Sequence, residues 1–239
     1  MGQPPKHWLA CVGFREGQEL LWRLFRACPT NTVDSKRAGM RLTTDEEDPV
    51  AVAQRMSEQE YEDFVLSGVD GQWELHDGML VEKPGMSWKH LDIVTLLVLL
   101  LGNQLDLTKY RVFAEGRVRR PTDTIFLPDV MVLPLDYGEG IMDDPRLAIF
   151  SKPLLLVVEF WSQSTGDYDL CAKLPVYQQR GDADIWFIHP FERTLTRRVR
   201  QSDGSYQETI LQGGVITLAA LPEVELDLDW LFAGGMAPR

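Results

Sequence analysis

The segment Pro153-Leu-Leu-Leu-Val-Val-Glu159 constrains this fold more than any other part of the chain. A continuous leucine and β-branched run, without polar alternation, suits a strand covered on both faces. Such strands belong to sheets flanked by helices, so the expected class is α/β (α+β) with a mixed β-sheet. The run ends in a carboxylate, and a buried carboxylate is costly unless it meets a cation or a metal. What Glu159 meets is therefore the question that leads to function.

The neighbouring segments fill in the frame. Ser57 followed by Glu60 is a capping box that opens a helix running to about Ser67. Trp73-Glu-Leu and Met79-Leu-Val flank His76-Asp-Gly78, which reads as a β-hairpin. From Trp88 to about Gln104 the apolar residues are dense enough for a largely buried helix. Strands are expected from Arg111 to Arg119 and from Thr124 to Leu133, with Pro128 marking an edge or a bulge in the second. After the polar stretch from Ser162 to Asp169, a helix closes at Arg180-Gly181, where glycine suits the C-cap. Asp184 to His189 reads as a strand, and Thr194 to Arg200 with Tyr206 to Leu211 as a C-terminal β-hairpin. Leu228 to Phe232 reads as a short closing helix. The divisions expected are a flexible N-terminal extension over 1–55, a domain over 56–232 and a tail over 233–239.

The formal charge of −12 argues against binding nucleic acid through bulk positive charge. It is compatible with acidic clusters that hold a divalent cation. Three cysteines, Cys11, Cys28 and Cys171, show no ligand spacing, which points to a reducing compartment. The apolar run from Ile93 to Leu101 is far shorter than the ~20 residues of a membrane span. No membrane partner and a cytoplasmic location are expected.

Asp129 and Glu159 each adjoin an otherwise apolar strand. On neighbouring strands both carboxylates would emerge at one rim, an all-oxygen pair suited to Mg²⁺ or Mn²⁺. A bound ion of that kind polarises a phosphate and acidifies water. Lys173, on the next element, could offset developing negative charge. Spacing alone leaves a plainer arrangement open, in which Asp129 is salt-bridged and Glu159 is satisfied by Lys173 without catalysis.

Several motifs resemble the restriction-endonuclease family called Uma, within the PD-(D/E)XK nuclease superfamily. They are Trp73-Glu-Leu-His-Asp-Gly-Met-Leu80, His90 opening a helix, Leu127-Pro-Asp-Val130, Val158-Glu-Phe-Trp-Ser-Gln-Ser-Thr165, Tyr168-Asp-Leu-Cys-Ala-Lys-Leu-Pro-Val-Tyr177 and Gly181-Asp-Ala-Asp-Ile-Trp-Phe-Ile-His-Pro190. The resemblance covers residues 56 to 232 and implies a restriction-endonuclease-like fold that hydrolyses DNA phosphodiesters with Mg²⁺. It implies Asp129 and Glu159 as metal ligands, helped by the Phe160 carbonyl, and Glu74 as an accessory acid. The superfamily's usual lysine would fall at Trp161, and the resemblance moves it to Lys173. Gln163 departs from the family's common proline, and Ile188-His-Pro190 from its Val-Asp-Pro.

His90 is an accessory candidate, although a surface role is the expectation for it, and His76 is expected to be exposed in its turn. Trp73, Trp161 and Trp186 are expected in the core. Arg198 and Arg200 share one face of a basic strand and are the best candidates for phosphate contact. A homodimer is the simplest way to cut both strands of a duplex. The rival expectations are a nuclease-like DNA-binding or regulatory module that no longer cuts, and a hydrolase of smaller phosphodiesters.

Overall fold

The computed structural model describes residues 55–120, 123–162 and 166–236. The expected N-terminal extension, apart from its last residue, lies outside them, as do the final three residues of the tail.

Helix α1 (Glu58–Leu66) opens on the capping box, with the Ser57 hydroxyl accepting from the Glu60 amide. Strands β1 (Gln72–His76) and β2 (Met79–Lys83) form the expected hairpin. Its turn residues Asp77 and Gly78 both carry positive φ, at 48° and 80°, as a tight two-residue turn requires. Helix α2 (Trp88–Gln104) follows, capped by Ser87.

The sequence expectations fail at two places for one reason. The segment expected as one strand over 111–119 is β3 (Tyr110–Ala114) and β4 (Arg117–Arg120), and the two belong to different sheets. The second expected strand is likewise β5 (Thr124–Phe126) and β6 (Val130–Pro134). The chain crosses between sheets at Glu115-Gly116 and again at Leu127-Pro-Asp129. Glu115 has φ 56°, and a Cβ on Gly116 would stand 1.9 Å from Met131 Cε, so a side chain at the first crossing would have to push the end of Met131 aside. At the second, Pro128 interrupts pairing as expected, and the interruption leaves Asp129 outside the ladder.

Two further short strands join here: β7 (Ile149–Phe150) and the long-awaited central strand β8 (Leu156–Phe160), buried at every position. A helical run then comprises α3 (Gly166–Tyr168), a π-helical turn (Asp169–Lys173) and α4 (Leu174–Arg180). Pro175 lies in the first turn of α4, where it removes no needed donor, and Gly181 closes the helix with φ 80°. Strands β9 (Asp184–His189), β10 (Thr194–Arg200) and β11 (Tyr206–Leu211) follow as expected. The small pair β12 (Val215–Thr217) and β13 (Glu225–Asp227) and helix α5 (Leu228–Phe232) complete the described chain.

The large sheet has the order β11-β10-β9-β8-β6-β3, with β8 parallel to β9 and antiparallel to β6. A second sheet has the order β2-β1-β5-β4-β7. Alternation along the large sheet separates two cores. Val130, Val132, Val158 and Phe160 face α2 and α5, while Met131, Leu133 and Val157 face α4 and the second sheet. Among the described residues no helix is long and apolar enough to cross a membrane.

Arg180 ties these layers together. Its guanidinium donates to the carbonyls of Arg119, Phe150 and Lys152, and its Nε lies 3.1 Å from Asp182 Oδ2. Burial pushes the Asp182 carboxyl up to about 6, and Arg180 offsets only part of that. The folded chain thus holds this proton more tightly than the unfolded one. The group's contribution to stability is full below the ordinary carboxylate pKa and is lost as pH rises through about 6. Arg180→Ala is expected to cost about 3–5 kcal/mol at pH 7.5, because it strands a buried carboxylate. At pH 5 the carboxyl takes up a proton and the cost is smaller. Urea unfolding at the two pH values measures the difference, and equal losses would contradict it.

Candidate active site

The register of two strands sets the centre of the site. Val130 pairs with Val158 across the antiparallel β6–β8 ladder, so one further step sets Asp129 opposite Glu159. Both lie on the face that carries Met131 and Val157. The Phe160 amide donates to Asp129 Oδ2 at 2.7 Å and locks the two strand ends together. Asp129 is 1% exposed and Glu159 2%.

A third carboxylate comes from the other sheet. Glu74 on β1 accepts from the Leu127 amide at 2.8 Å, the residue that begins the crossing between sheets. Its cationic partner is Lys173. Lys173 Nζ stands 2.9 Å from Glu74 Oε1, 3.2 Å from Glu159 Oε1 and 3.1 Å from Asp169 Oδ1. Its approach over the rings of Phe126 and Tyr168, 5.9 and 5.7 Å from their centroids, adds cation–π attraction. The π-helical turn widens the helix where Asp169 and Lys173 both turn inward, a distortion common at functional sites. Tyr177, one turn further on, donates its hydroxyl to Glu159 Oε1.

The charges respond to this burial. Burial pulls the Lys173 ammonium down, but Asp169, Glu159 and Glu74 more than reverse it and hold the group charged. Burial pushes Glu159 up to about 8, with Lys173 pulling down and Asp169 and Asp129 pushing further up. Asp129 is also pushed up by burial, yet His90 and Lys83 outweigh that and keep it ionised.

Lys83 is a residue that sequence reasoning missed. At the end of β2 it donates to Asp129 Oδ1 at 2.7 Å and to the Leu127 carbonyl at 2.9 Å. Its signal was faint: strand alternation from Val81 points it inward, but the expected strand stopped at Val81. His90 Nε2 lies 3.3 Å from the same Asp129 oxygen. His90 is 6% exposed, so the surface role expected of it is wrong; Ser87 accepts from its amide, and its ring packs on Phe160 with centroids 5.2 Å apart.

These groups floor a cleft of about 300 Å³ whose wall includes Pro84, Ser87, Trp161 and Phe191. Trp186 is buried in the core as expected. Trp161 instead lines the cleft and stacks on His189 with centroids 4.1 Å apart. A Cβ on Gly166 would stand 1.9 Å from its indole nitrogen, so glycine there gives the ring its place. His76 is half-buried rather than exposed, packed near Phe126 and Tyr168. The structure therefore brings Asp129, Glu159, Lys173, Glu74 and His90 into one cleft. It does not bring Arg198 and Arg200 there. Arg198 lies opposite Ile185 on β9, two positions before the residue level with Glu159, and pairs with Glu208. Arg200 lies further still from that end, its amide bonded to the Ala183 carbonyl.

The donor set fits a divalent cation. Four carboxylates (Glu74, Asp129, Glu159 and Asp169) meet two ammonium groups (Lys83 and Lys173). With all six ionised, two negative charges are left over, the charge one divalent ion supplies. Burial and the neighbouring Asp169 and Asp129 push Glu159 up, in keeping with that excess of negative charge. Among the described residues no group of three or more His, Cys, Asp or Glu forms a ready cage for a metal. Mg²⁺ does not ask for one, since it keeps several waters and accepts one or two carboxylates.

Comparison with known proteins agrees with this frame. A family model described as "Uma2: Putative restriction endonuclease" matches residues 58–229. Among solved structures, the chain is similar to one described as a "putative nuclease belonging to DUF820" from Anabaena variabilis. The TM-score is 0.60 at 17% sequence identity, over 72% of this chain and 97% of that one, a likeness of fold. No curated protein matches.

Proposed function

This chain belongs to the Uma2 family, described as putative restriction endonucleases, and from that premise we propose that it is a metal-dependent DNA endonuclease. The observation that carries the reading is the register-matched pair Asp129 and Glu159, buried on adjacent strands at the floor of an open cleft. Asp129 and Glu159, with the Phe160 carbonyl, would hold Mg²⁺ or Mn²⁺. The bound ion would polarise the scissile phosphate and supply a water of lowered pKa.

The chain's own groups prepare that site. Tyr177 fixes one oxygen of Glu159, and the Phe160 amide fixes one of Asp129. Lys173 holds Glu74, Glu159 and Asp169 together against their mutual repulsion. Its charge would also shape the field in which negative charge builds in the transition state. DNA is the substrate the family description points to, and two copies of the chain would serve to cut both strands.

A second reading has one observation behind it. Lys83 and Lys173 already pair with both proposed ligands, so the site holds together without metal. On that reading the protein is a nuclease-like binding module. The two separate in one experiment on a fluorescent duplex. The endonuclease hydrolyses it in Mg²⁺ or Mn²⁺ and leaves it whole in EDTA. Equal binding in EDTA and Mg²⁺ without hydrolysis would favour the module and sink the endonuclease.

A further inference from the structure

The cleft holds two lysines, and they are not equivalent. An ammonium group has three N–H donors. Lys173 Nζ has three carboxylate oxygens within 3.2 Å, one for each donor, and two aromatic rings close around it. It is 2% exposed and rooted in a buried helical turn. A lysine so engaged can shape the field of the site but has no donor to offer a substrate without breaking the carboxylate cluster.

Lys83, though also buried, is less fully engaged. Two acceptors engage it, Asp129 Oδ1 and the Leu127 carbonyl, which leaves one of its three donors over. It stands at the last position of β2, where the chain passes into the Pro84-to-Ser87 wall of the cleft. It reaches the site from the end of β2, on a long and flexible stem, whereas Lys173 comes from the helical run. Its principal partner, moreover, is a proposed metal ligand. A divalent cation on Asp129 would repel the ammonium at 2.7 Å from that same carboxylate and free a second donor.

We infer that Lys83 is a catalytic residue with two positions: on Asp129 in the metal-free chain, and on a non-bridging oxygen of the scissile phosphate when Asp129 would instead hold a divalent cation. The inference rests on the endonuclease reading, and it divides the labour between the lysines. Lys173 assembles the carboxylates, while Lys83 neutralises charge on a non-bridging phosphate oxygen as the P–O bond breaks. No proton is transferred by Lys83 in this role; the bond to the leaving oxygen breaks as the attacking water's oxygen bonds to phosphorus, the water gives one proton to solvent, and the leaving oxygen takes one from solvent. In the metal-free chain the same ammonium keeps Asp129 from being an uncompensated buried charge.

The test joins two measurements on the full chain: calorimetric titration with Mn²⁺, and nicking of supercoiled plasmid in Mg²⁺. Lys83→Met is close in size, and Lys83→Arg keeps the charge. Removing the ammonium takes a repelling charge from the metal's neighbourhood, so Lys83→Met is expected to bind Mn²⁺ about tenfold more tightly. Losing a donor to the developing charge is expected to slow its nicking by about 10²-fold. Tighter metal with slower cutting is a combination that a merely structural lysine would not produce. Lys83→Arg is expected to bind Mn²⁺ as the wild type does and to recover part of the rate. Wild-type nicking by Lys83→Met, or an unchanged Mn²⁺ affinity in that variant, would overturn the inference while leaving the endonuclease reading intact. A wild-type protein that binds Mn²⁺ and cuts nothing would overturn both.

Discussion

Asp129→Ala is expected to abolish metal-dependent cleavage of DNA. The carboxylate it removes is the one that Lys83, His90 and the Phe160 amide all address, so nothing nearby can replace it. Loss of a metal ligand forfeits several kcal/mol of charge stabilisation. At about 1.4 kcal/mol per tenfold, the rate falls by about a thousandfold or more. The same substitution strands the Lys83 ammonium at a site where its side chain is only 8% exposed, which is costly for folding. Asp129→Asn separates the two effects. The amide oxygen can still accept from Phe160 or Lys83, so this variant should melt near the wild type while remaining inactive. An Asp129→Asn protein that is folded and cuts at the wild-type rate would contradict the assignment of Asp129 as a ligand.

Lys173→Met is expected to lose stability on the scale of Arg180→Ala. Without the ammonium, Glu74, Glu159 and Asp169 face one another in a buried space and lose the cation they share. Breaking a buried ion pair from one side costs about 3–5 kcal/mol. Part of that loss is recoverable, because anything that binds the folded state alone stabilises it. Mn²⁺ should therefore raise the melting temperature of Lys173→Met by more than it raises that of the wild type. A variant that melts like the wild type, or one that gains nothing more from Mn²⁺, would show that the carboxylates do not depend on Lys173.

The legible parts of this chain were those where local chemistry is self-sufficient. The capping box at Ser57 and Glu60, the Asp77-Gly78 turn, the α2 helix and the apolar run of β8 each carry their signal within a few residues, and each appears where expected. The two sheet crossings were illegible. A strand that leaves one sheet and enters another keeps its propensity and alternation, and the change of partner is a tertiary fact. Glu115-Gly116 and Pro128 were visible as sequence, but only the packing of Gly116 on Met131 shows what the first is for.

The site divides in the same way. Asp129 and Glu159 stood out because a carboxylate beside an apolar strand demands an explanation, and the β6–β8 register brings them together. His90 was misjudged because the helix periodicity does not say which residue of a first turn meets a strand end. Lys83 was missed because a lysine at the end of a strand normally reaches solvent, and only the second sheet's approach to Leu127 and Asp129 buries it. The arginines of β10 drew attention for their number. The strand register carries Arg198 and Arg200 away from the end of the sheet where the carboxylates lie.

The most direct measurement is nicking of supercoiled plasmid by the purified full chain in Mg²⁺, beside the Glu159→Gln variant, which can still accept the Tyr177 hydroxyl. The predicted result is open-circular product from the wild type, none in EDTA, and none from Glu159→Gln in a protein that melts as a folded chain. Equal nicking by the wild type and Glu159→Gln would place the chemistry elsewhere, and no nicking in any metal would contradict an endonuclease at this cleft.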